Sequence, residues 1–485
     1  MSSNKLVKNT SFYLAATYFP YLVSFITLPL YTRYLSTEDY AVLALAQSFI
    51  AFLPLLMTFQ LHSSIYRFFV DYEDKELKTF ISTVFAFLVV TSFSASFILF
   101  NYLPSIIKTV FPNIPPSQYN IFDIAIIIAV LNIFQGINMA IVRMREEAKK
   151  FMKISISLLL ISIGITIIEV VFLEKGIDGM IEAMLISSCL SFVVYTFFNR
   201  KYFALSFKLS YIKAPLLFSM PLILNSLASY IFMYSDRILL EKYVPTYLTL
   251  GAIGLYALAD KIAFLFKAFV NQVNSAYHPH FFKLFKVDPE KAKKETYKAS
   301  EIVMLILATG IVLTALFAKE LVELVFPKDY HSVWLMIPIL STSFFFRSIY
   351  SFSNLGVIYQ KKTIFTSITT LTSALVNIVL NVILIPLIGV YGAVFSTVAS
   401  FGVSFLVIRV LAKKVEPIAI NTSLAAVSIL IIAASIFGVW LLHESDLNNF
   451  VIIPLKLTFL TLILFLIKKT GIITKSQVMG VLKRQ

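Results

Sequence analysis

The sequence predicts an all-α integral membrane protein with about 14 transmembrane helices, arranged as two six-helix bundles around a central cleft plus two extra C-terminal helices. Hydrophobic residues make up 59% of the 485 positions and charged residues only 14%, with a mean hydropathy of +0.85. A soluble domain carries roughly 25% charged residues. A chain this apolar cannot cover its own surface in water, so its main solvent is lipid.

Apolar segments long enough to span a bilayer follow one another along the whole chain. A spanning helix needs about 20 mostly apolar residues. The first segment follows Lys5 and Lys8 and continues past Pro20 to Leu30, which is too long for a cleavable signal and predicts a retained helix. The predicted spans are 9–35, 40–69, 77–103, 120–145, 151–173, 178–200, 215–241, 250–282, 294–317, 332–360, 363–386, 390–412, 419–442 and 449–467.

The distribution of basic residues predicts the orientation. With the N-terminus inside, thirty of the 41 Lys and Arg residues lie in inner segments, seven lie in outer segments and four lie within spans. Lys and Arg concentrate on the cytoplasmic side of membrane proteins, so both termini are expected to be cytoplasmic. The same bias accounts for the net charge of +15, and no nucleic-acid partner is predicted.

The residues that would support catalysis or cofactor binding are scarce. Cys189 is the single cysteine, which excludes an intrachain disulfide and a cysteine-based zinc site. The sequence contains neither a Gly-rich phosphate loop nor a nucleophile elbow. We therefore expect no cofactor, no metal site and no enzymatic activity.

An internal repeat relates the two halves of the chain. The segment that begins at Gly176 aligns with the one that begins at Gly389, an offset of 213 positions, and the same offset pairs Ser187 with Ser400 and Ser191 with Ser404. Chance similarity between apolar helices rich in Gly and Ser remains an alternative. If the repeat is real, two like bundles face each other and alternating access by rocking is the natural mechanism. The predicted domains are 1–213, 214–414 and 415–485.

Polar side chains form a stripe along span 8. Residues recurring at spacings of four and three share one face of a helix, and this set is Asp260, Phe264, Lys267, Asn271, Asn274 and His278. Because charged groups are expensive in lipid, the stripe is expected to face protein or water. A buried polar seam between helices is the alternative. Lys261 lies beside the stripe and points elsewhere.

Arg347 lies near the middle of span 10. A guanidinium group suits phosphate because its planar fork donates two hydrogen bonds at once. A structural ion pair with Glu169 or Asp260 is the alternative. Arg33 and Arg237 lie near the outer ends of their spans, where snorkelling to the interface is inexpensive.

Three short motifs indicate a family. They are Leu28–Tyr40 (Leu-Pro-Leu-Tyr-Thr-Arg-Tyr-Leu-Ser-Thr-Glu-Asp-Tyr), Ser235–Arg237 and the basic linker Gln360–Lys362. With the span count and short loops, they resemble polysaccharide flippases of the Wzx type, within the multidrug/oligosaccharidyl-lipid/polysaccharide exporter superfamily. The resemblance implies that an undecaprenyl-pyrophosphate-linked oligosaccharide, such as an O-antigen repeat unit of lipopolysaccharide, crosses the bacterial inner membrane.

The resemblance also implies that spans 1, 2, 7 and 8 line the cleft. Implied partners are the lipid-linked substrate, membrane lipids, H⁺ or Na⁺ as coupling ion, and a polysaccharide polymerase with its chain-length regulator. The substrate-binding residues predicted from the polar positions are Arg33, Asp236, Arg237, Asp260, Lys261, Lys267, Asn271 and Arg347.

Two rival functions remain open. A multidrug or cation antiporter of the same superfamily would share the fold, but basic residues in the cleft favour an anionic pyrophosphate. A membrane polysaccharide polymerase or ligase needs a sizeable outer loop, whereas the longest one here lies around 103–119.

Overall fold

The structure is a computed structural model whose regular elements are all helical in the residues it describes. These residues are 19–20, 23–69, 71–145, 147–244, 249–445 and 452–461. Large parts of the first and last predicted spans, Lys5, Lys8 and the basic tail lie outside the described residues.

The chain divides into two compact units, Met1–Ala257 and Leu258–Gln485. The first unit holds α1 (Val23–Thr32), α2 (Thr37–Met57), α3 (Leu61–Phe68), α4 (Asp74–Val110), α5 (Tyr119–Met144), α6 (Ala148–Ile167), α7 (Gly176–Asn199) and α8 (Ser210–Tyr243). Helix α9 (Thr249–Val287) begins in the first unit and continues into the second. The second unit continues with α10 (Pro289–Val325), α11 (Met336–Tyr359), α12 (Thr363–Ile388), α13 (Val390–Ala412), α14 (Thr422–Glu444) and α15 (Ile452–Thr461).

Eleven of these helices are long and apolar enough to cross a membrane, namely α2, α4 to α8 and α10 to α14. Helix α9 covers the predicted span 8, and the shorter apolar helices α1 and α15 lie within the first and last predicted spans. The all-helical membrane architecture predicted from the sequence is confirmed. The domain boundaries at 213/214 and 414/415 stay predictions.

The second predicted span, 40–69, is broken in two. Helix α2 ends one turn after Pro54, and the Thr58 hydroxyl donates to the Pro54 carbonyl oxygen at 2.7 Å. Phe59 and Gln60 follow with φ of 49° and 59°, a left-handed conformation that cannot continue a right-handed helix. Hydropathy averaged over a span does not register this break.

Polar side chains cap the helix ends that the sequence places at the membrane surface. Ser36 and Asp39 form a capping box at the start of α2. The carboxylate of Asp288 accepts the Lys291 N–H at 2.9 Å at the start of α10, and the Asn421 side chain caps α14. These side chains satisfy N–H groups that have no partner within the helix.

The repeated glycines both adopt a positive φ angle. Gly176 and Gly389 both have positive φ, at 56° and 60°, which glycine adopts without a steric cost. Three residues on, Gly179 and Gly392 both lie so close to the preceding backbone that a Cβ atom would approach it within 2.8 Å and 2.5 Å. The structure therefore supports the register of the repeat in these two helices.

One glycine allows a close helix crossing within the first unit. A Cβ atom on Gly254 of α9 would lie 1.9 Å from the carbonyl oxygen of Thr37 at the start of α2. One turn earlier, a Cβ atom on Gly251 would lie 3.6 Å from the Thr37 hydroxyl, an ordinary contact. The backbones thus meet at Gly254, where no side chain fits.

The lysine within the last predicted span, Lys456, has an acidic partner in the structure. Lys456 is fully buried, and its Nζ lies 2.5 Å from Oε1 of Glu320 on α10 and 3.1 Å from Nε2 of His443 on α14. These contacts tie α15 to the apolar core of the second unit, which α9, α10, α11 and α14 share.

Candidate functional site

The polar stripe of α9 faces α11 within the second unit. Oδ1 of Asn274 accepts a hydrogen bond from the Ser351 hydroxyl at 2.7 Å, and Nε2 of His278 lies 3.4 Å from the same hydroxyl. The prediction that the stripe faces protein or water is thus confirmed for its C-terminal part, which faces protein. At this level it is a polar seam between two helices, the alternative that the sequence left open.

Arg347 lies one turn before Ser351 on the same face of α11. Helices α9 and α11 run in the same direction, because the contacts between them advance together along both helices, from Asn274–Ser351 to Phe285–Tyr359. At 1.5 Å per residue, Arg347 lies about 6 Å and Lys267 about 10 Å along the axis from the Asn274–Ser351 hydrogen bond. The two cations are therefore at nearly the same level, near the midpoints of their helices.

The guanidinium of Arg347 has no acidic partner in the described part of the chain. Its side chain is partly buried, and Nε is fully shielded without a hydrogen-bond partner. No ion pair to Arg347 occurs among the described residues. Glu169, one of the two acids considered, pairs instead with Lys175 in the first unit at 2.7 Å. Hydrogen bonds to Glu169 and Glu182 raise the pKa of Lys175, which lies between spans, to about 12.

Neutral polar groups surround the C-terminal side of Arg347. The Asn354 amide donates to the Tyr350 hydroxyl at 3.4 Å, and the Thr366 hydroxyl of α12 donates to Oδ1 of Asn354 at 3.1 Å. Tyr350 and Asn354 lie three and seven positions after Arg347, spacings that place them on its face. Ser351 and Thr366 are not among the residues predicted from the sequence. The spacing of four from Arg347 marks Ser351, whereas no signal in the sequence identifies Thr366.

The other predicted substrate-binding residues of α9 lie in the part of the helix that precedes Asn274. The ammonium of Lys267 lies 4.6 Å from the ring centroid of Phe264, a cation–π contact. Asn271 lies one turn further along the stripe and is partly buried, as are Asp260 and Lys261 near its start.

The three remaining predicted residues belong to the first unit. Asp236 is 4% exposed and accepts a hydrogen bond from the Tyr256 hydroxyl at 2.5 Å. This bond joins α8 to the first turns of α9. Arg237 lies over the ring of Tyr234 at 5.4 Å, and Arg33 is exposed just after α1.

Comparison with known sequences assigns the chain to a family. The family described as polysaccharide biosynthesis protein matches residues 30–335, more than half of the chain. The chain belongs to this family. It is also 23% identical over 347 residues to an uncharacterized membrane protein of Haemophilus influenzae, covering 70% of this chain and 80% of that protein. A second protein of Haemophilus influenzae, Lsg locus putative protein 1, is 23% identical over 292 residues, covering 58% of this chain and 67% of the relative.

Solved structures show the same fold. The lipid II flippase MurJ in an inward closed conformation matches with a TM-score of 0.75 at 15% identity, covering 95% of this chain and 99% of MurJ. An inward-facing multidrug resistance MATE family transporter of the MOP superfamily matches with a TM-score of 0.61 at 13% identity, covering 84% of this chain and 94% of the transporter. This protein therefore has the fold of the MurJ and MATE transporters.

Proposed function

We propose that this protein is a flippase that moves an undecaprenyl-pyrophosphate-linked oligosaccharide from the cytoplasmic to the outer leaflet of the bacterial inner membrane by alternating access. Membership of a polysaccharide biosynthesis family supports a role in the assembly of a polysaccharide. The observation that carries the choice of substrate is Arg347, a cation at mid-helix whose Nε has no hydrogen-bond partner among the described residues.

A cation at this depth raises the free energy of the protein unless an anion meets it. A charged side chain at the bilayer centre costs about 2.5–3.5 kcal/mol on insertion scales, and no acid in the described part of the chain offsets it. An anion that visits the site repays the cost, and a guanidinium binds the two oxygens of a phosphate in parallel. Lys267 at nearly the same level adds a second positive charge.

The neighbouring polar groups suit the rest of the headgroup. Asn271, Tyr350 and Asn354 supply amide and hydroxyl groups that bond sugar hydroxyls or phosphate oxygens. Arg33, Asp236, Arg237, Asp260 and Lys261 complete the proposed substrate path. Transport is proposed to be coupled to H⁺ or Na⁺, with both termini in the cytoplasm and with a polymerase and chain-length regulator acting on the product.

The sign of the charge distinguishes this proposal from a cation antiporter of the MATE type. A cationic substrate would be repelled by Arg347 and Lys267, whereas a pyrophosphate is attracted. The polymerase or ligase alternative needs a large outer loop. Helix α4 continues to Val110 and the next helical turn begins at Pro116, which leaves only 111–115 as loop at the longest predicted outer connection.

Deletion of the gene in its native host tests the proposal. We expect surface polysaccharide to be lost and lipid-linked repeat units to accumulate, as measured by mass spectrometry of extracted lipids. Their sugars should be protected from a membrane-impermeant label applied to spheroplasts, which places them in the inner leaflet. An antiporter deletion would instead leave polysaccharide intact and change drug tolerance. Deletion of a polymerase would leave single repeat units exported to the outer leaflet.

A further inference from the structure

The first unit contains a cavity of about 330 Å³ within a single group of helices, α5, α6 and α7, with Pro20 at one edge. This volume is at the lower end of the range for small-molecule sites. None of the residues proposed above for the flippase site lines it.

Each of the three helices contributes polar side chains at spacings that keep them on one face. Ser187, Ser191 and Tyr195 of α7 line the cavity at intervals of four, and Ser155 and Ser162 of α6 lie opposite. The hydroxyl groups of Ser155 and Tyr195 form a hydrogen bond of 2.8 Å with each other. Ser187 and Tyr195 lie eight residues apart, so the polar lining extends about 12 Å along the helix.

Three of these hydroxyls lack the bond that serines in membrane helices ordinarily make. Elsewhere in the chain, Ser341 and Ser353 donate to the carbonyl oxygen four residues earlier at 2.7 Å and 2.9 Å. Oγ of Ser187 is buried without any partner, and the side chains of Ser162 and Ser191 form no hydrogen bond within the described part of the chain. Unmet hydrogen-bonding groups in a cavity call for a polar occupant.

The repeat provides an internal comparison. Ser400, the counterpart of Ser187, is fully buried and donates to the Thr397 carbonyl oxygen at 2.8 Å. Ser404, the counterpart of Ser191, is 8% exposed. The same serine positions are thus packed in the second unit and line a cavity in the first, so the cavity is a property of the first unit and not of the repeated sequence.

The charge of the lining selects the chemistry of the occupant. In the described part of the chain, neither Asp nor Glu lines the cavity, and Arg143 lies at the end of the cavity that the charge distribution predicts to be cytoplasmic. Its guanidinium lies over the Phe151 ring at 5.4 Å and interacts electrostatically with Tyr195. A cation has no counter-charge in such a site, whereas a polyol meets hydroxyls and a phosphate meets a guanidinium.

We infer that this cavity is a second binding site that takes a phosphate-bearing polyol, with the phosphate at Arg143 and the polyol hydroxyls along Ser162 and Ser191. Two sources present this chemistry, the headgroup of an anionic glycerolipid and a soluble sugar or glycerol phosphate. The inference does not depend on the flippase proposal, because it concerns other residues.

Protection of an introduced cysteine tests the site in the full-length protein. In a Cys189→Ser background, Ser191→Cys is labelled with a water-soluble maleimide, alone or with glycerol 3-phosphate, and in vesicles of phosphatidylglycerol or phosphatidylcholine. We expect labelling at Ser191→Cys that slows at least fivefold either with glycerol 3-phosphate or in phosphatidylglycerol, the two probes that combine a phosphate with polyol hydroxyls, compared with phosphatidylcholine vesicles alone. Ser404→Cys, the packed counterpart, should not label, and Lys149→Cys, exposed at the start of α6, should label equally in all conditions.

The pattern of protection identifies the source of the ligand. Protection by glycerol 3-phosphate indicates a soluble phosphate, and protection in phosphatidylglycerol alone indicates a lipid headgroup. Arg143→Gln should raise the probe concentration for half-protection about tenfold, the effect of losing a charge-assisted hydrogen bond, and Ser162→Ala should raise it less. Labelling that neither probe slows, or a cysteine that never reacts, would overturn the inference.

Discussion

Replacement of Arg347 by methionine is expected to weaken the binding of a pyrophosphate headgroup by about two orders of magnitude without loss of the fold. The guanidinium can donate two parallel hydrogen bonds, and a hydrogen bond to a charged group contributes about 1.5–3 kcal/mol. Taking the lower value for each bond, the loss is about 3 kcal/mol, or roughly 150-fold in Kd. Arg347→Lys keeps the charge and one bond, so about tenfold is expected.

The fold should survive because Arg347 has no acidic partner in the described part of the chain. Its removal leaves no carboxylate unpaired, and methionine relieves the cost of a charge that is partly buried. We therefore expect the thermal midpoint of Arg347→Met in detergent to equal or exceed that of the original protein. Binding is measured with undecaprenyl pyrophosphate added to the purified protein in micelles.

Arg409→Met provides a matched control, since Arg409 is another arginine of the second unit, at the C-terminal end of α13. It should leave Kd unchanged. If Arg347→Met binds undecaprenyl pyrophosphate as tightly as the original protein, the phosphate path runs elsewhere. If instead the variant unfolds or fails to reach the membrane, Arg347 is a structural charge and the reasoning is wrong.

Three further predictions concern stability, each read as the thermal midpoint of the purified protein. Gly254→Ala should destabilise the protein by about 1–3 kcal/mol or more through overpacking, whereas Gly251→Ala should be neutral or stabilising; equal effects would contradict the close crossing. Lys456→Met should cost about 3 kcal/mol by leaving a partly buried carboxylate unpaired, and adding Glu320→Gln should recover most of it; no recovery would argue against the pair. The pKa of Lys175 is raised to about 12, so the stabilisation of the fold by its ion pairs is fully present below about pH 10.5 and is lost as the pH rises through 12. The thermal midpoint of Lys175→Gln should therefore lie below that of the original protein by the same amount at pH 7 and pH 9, and a gap that shrinks by pH 9 would refute this.

Most of the fold can be predicted from the composition of the sequence and the periodicity of its apolar and polar residues. The spans follow from hydropathy because a bilayer allows little besides helices. The stripe from Asp260 to His278 was found from spacing alone, and two of its members do contact α11. Gly176 and Gly389, matched by their sequence offset, share a positive φ angle in the structure.

Other features depend on tertiary contacts that one sequence does not display. The break at Phe59 and Gln60 lies within an apolar segment, where local conformation and not hydropathy decides. The Lys456–Glu320 pair joins residues 136 positions apart, and the partner of a buried charge at that separation cannot be read from spacing. The hydrogen bond from Thr366 to Asn354 arises from the packing of α12 on α11, and a single sequence does not show which helices pack together.

The most direct test of the central claim is transbilayer movement of the proposed substrate by the purified protein. Proteoliposomes are loaded with an undecaprenyl-pyrophosphate-linked oligosaccharide carrying a fluorophore on its sugar, and an impermeant quencher reports the fraction in the outer leaflet. The proposal predicts that quenching proceeds beyond the initially exposed half in liposomes with the original protein, and that Arg347→Met stops it there. Quenching that halts at one half with the original protein, while a cationic dye is transported, would contradict the proposal.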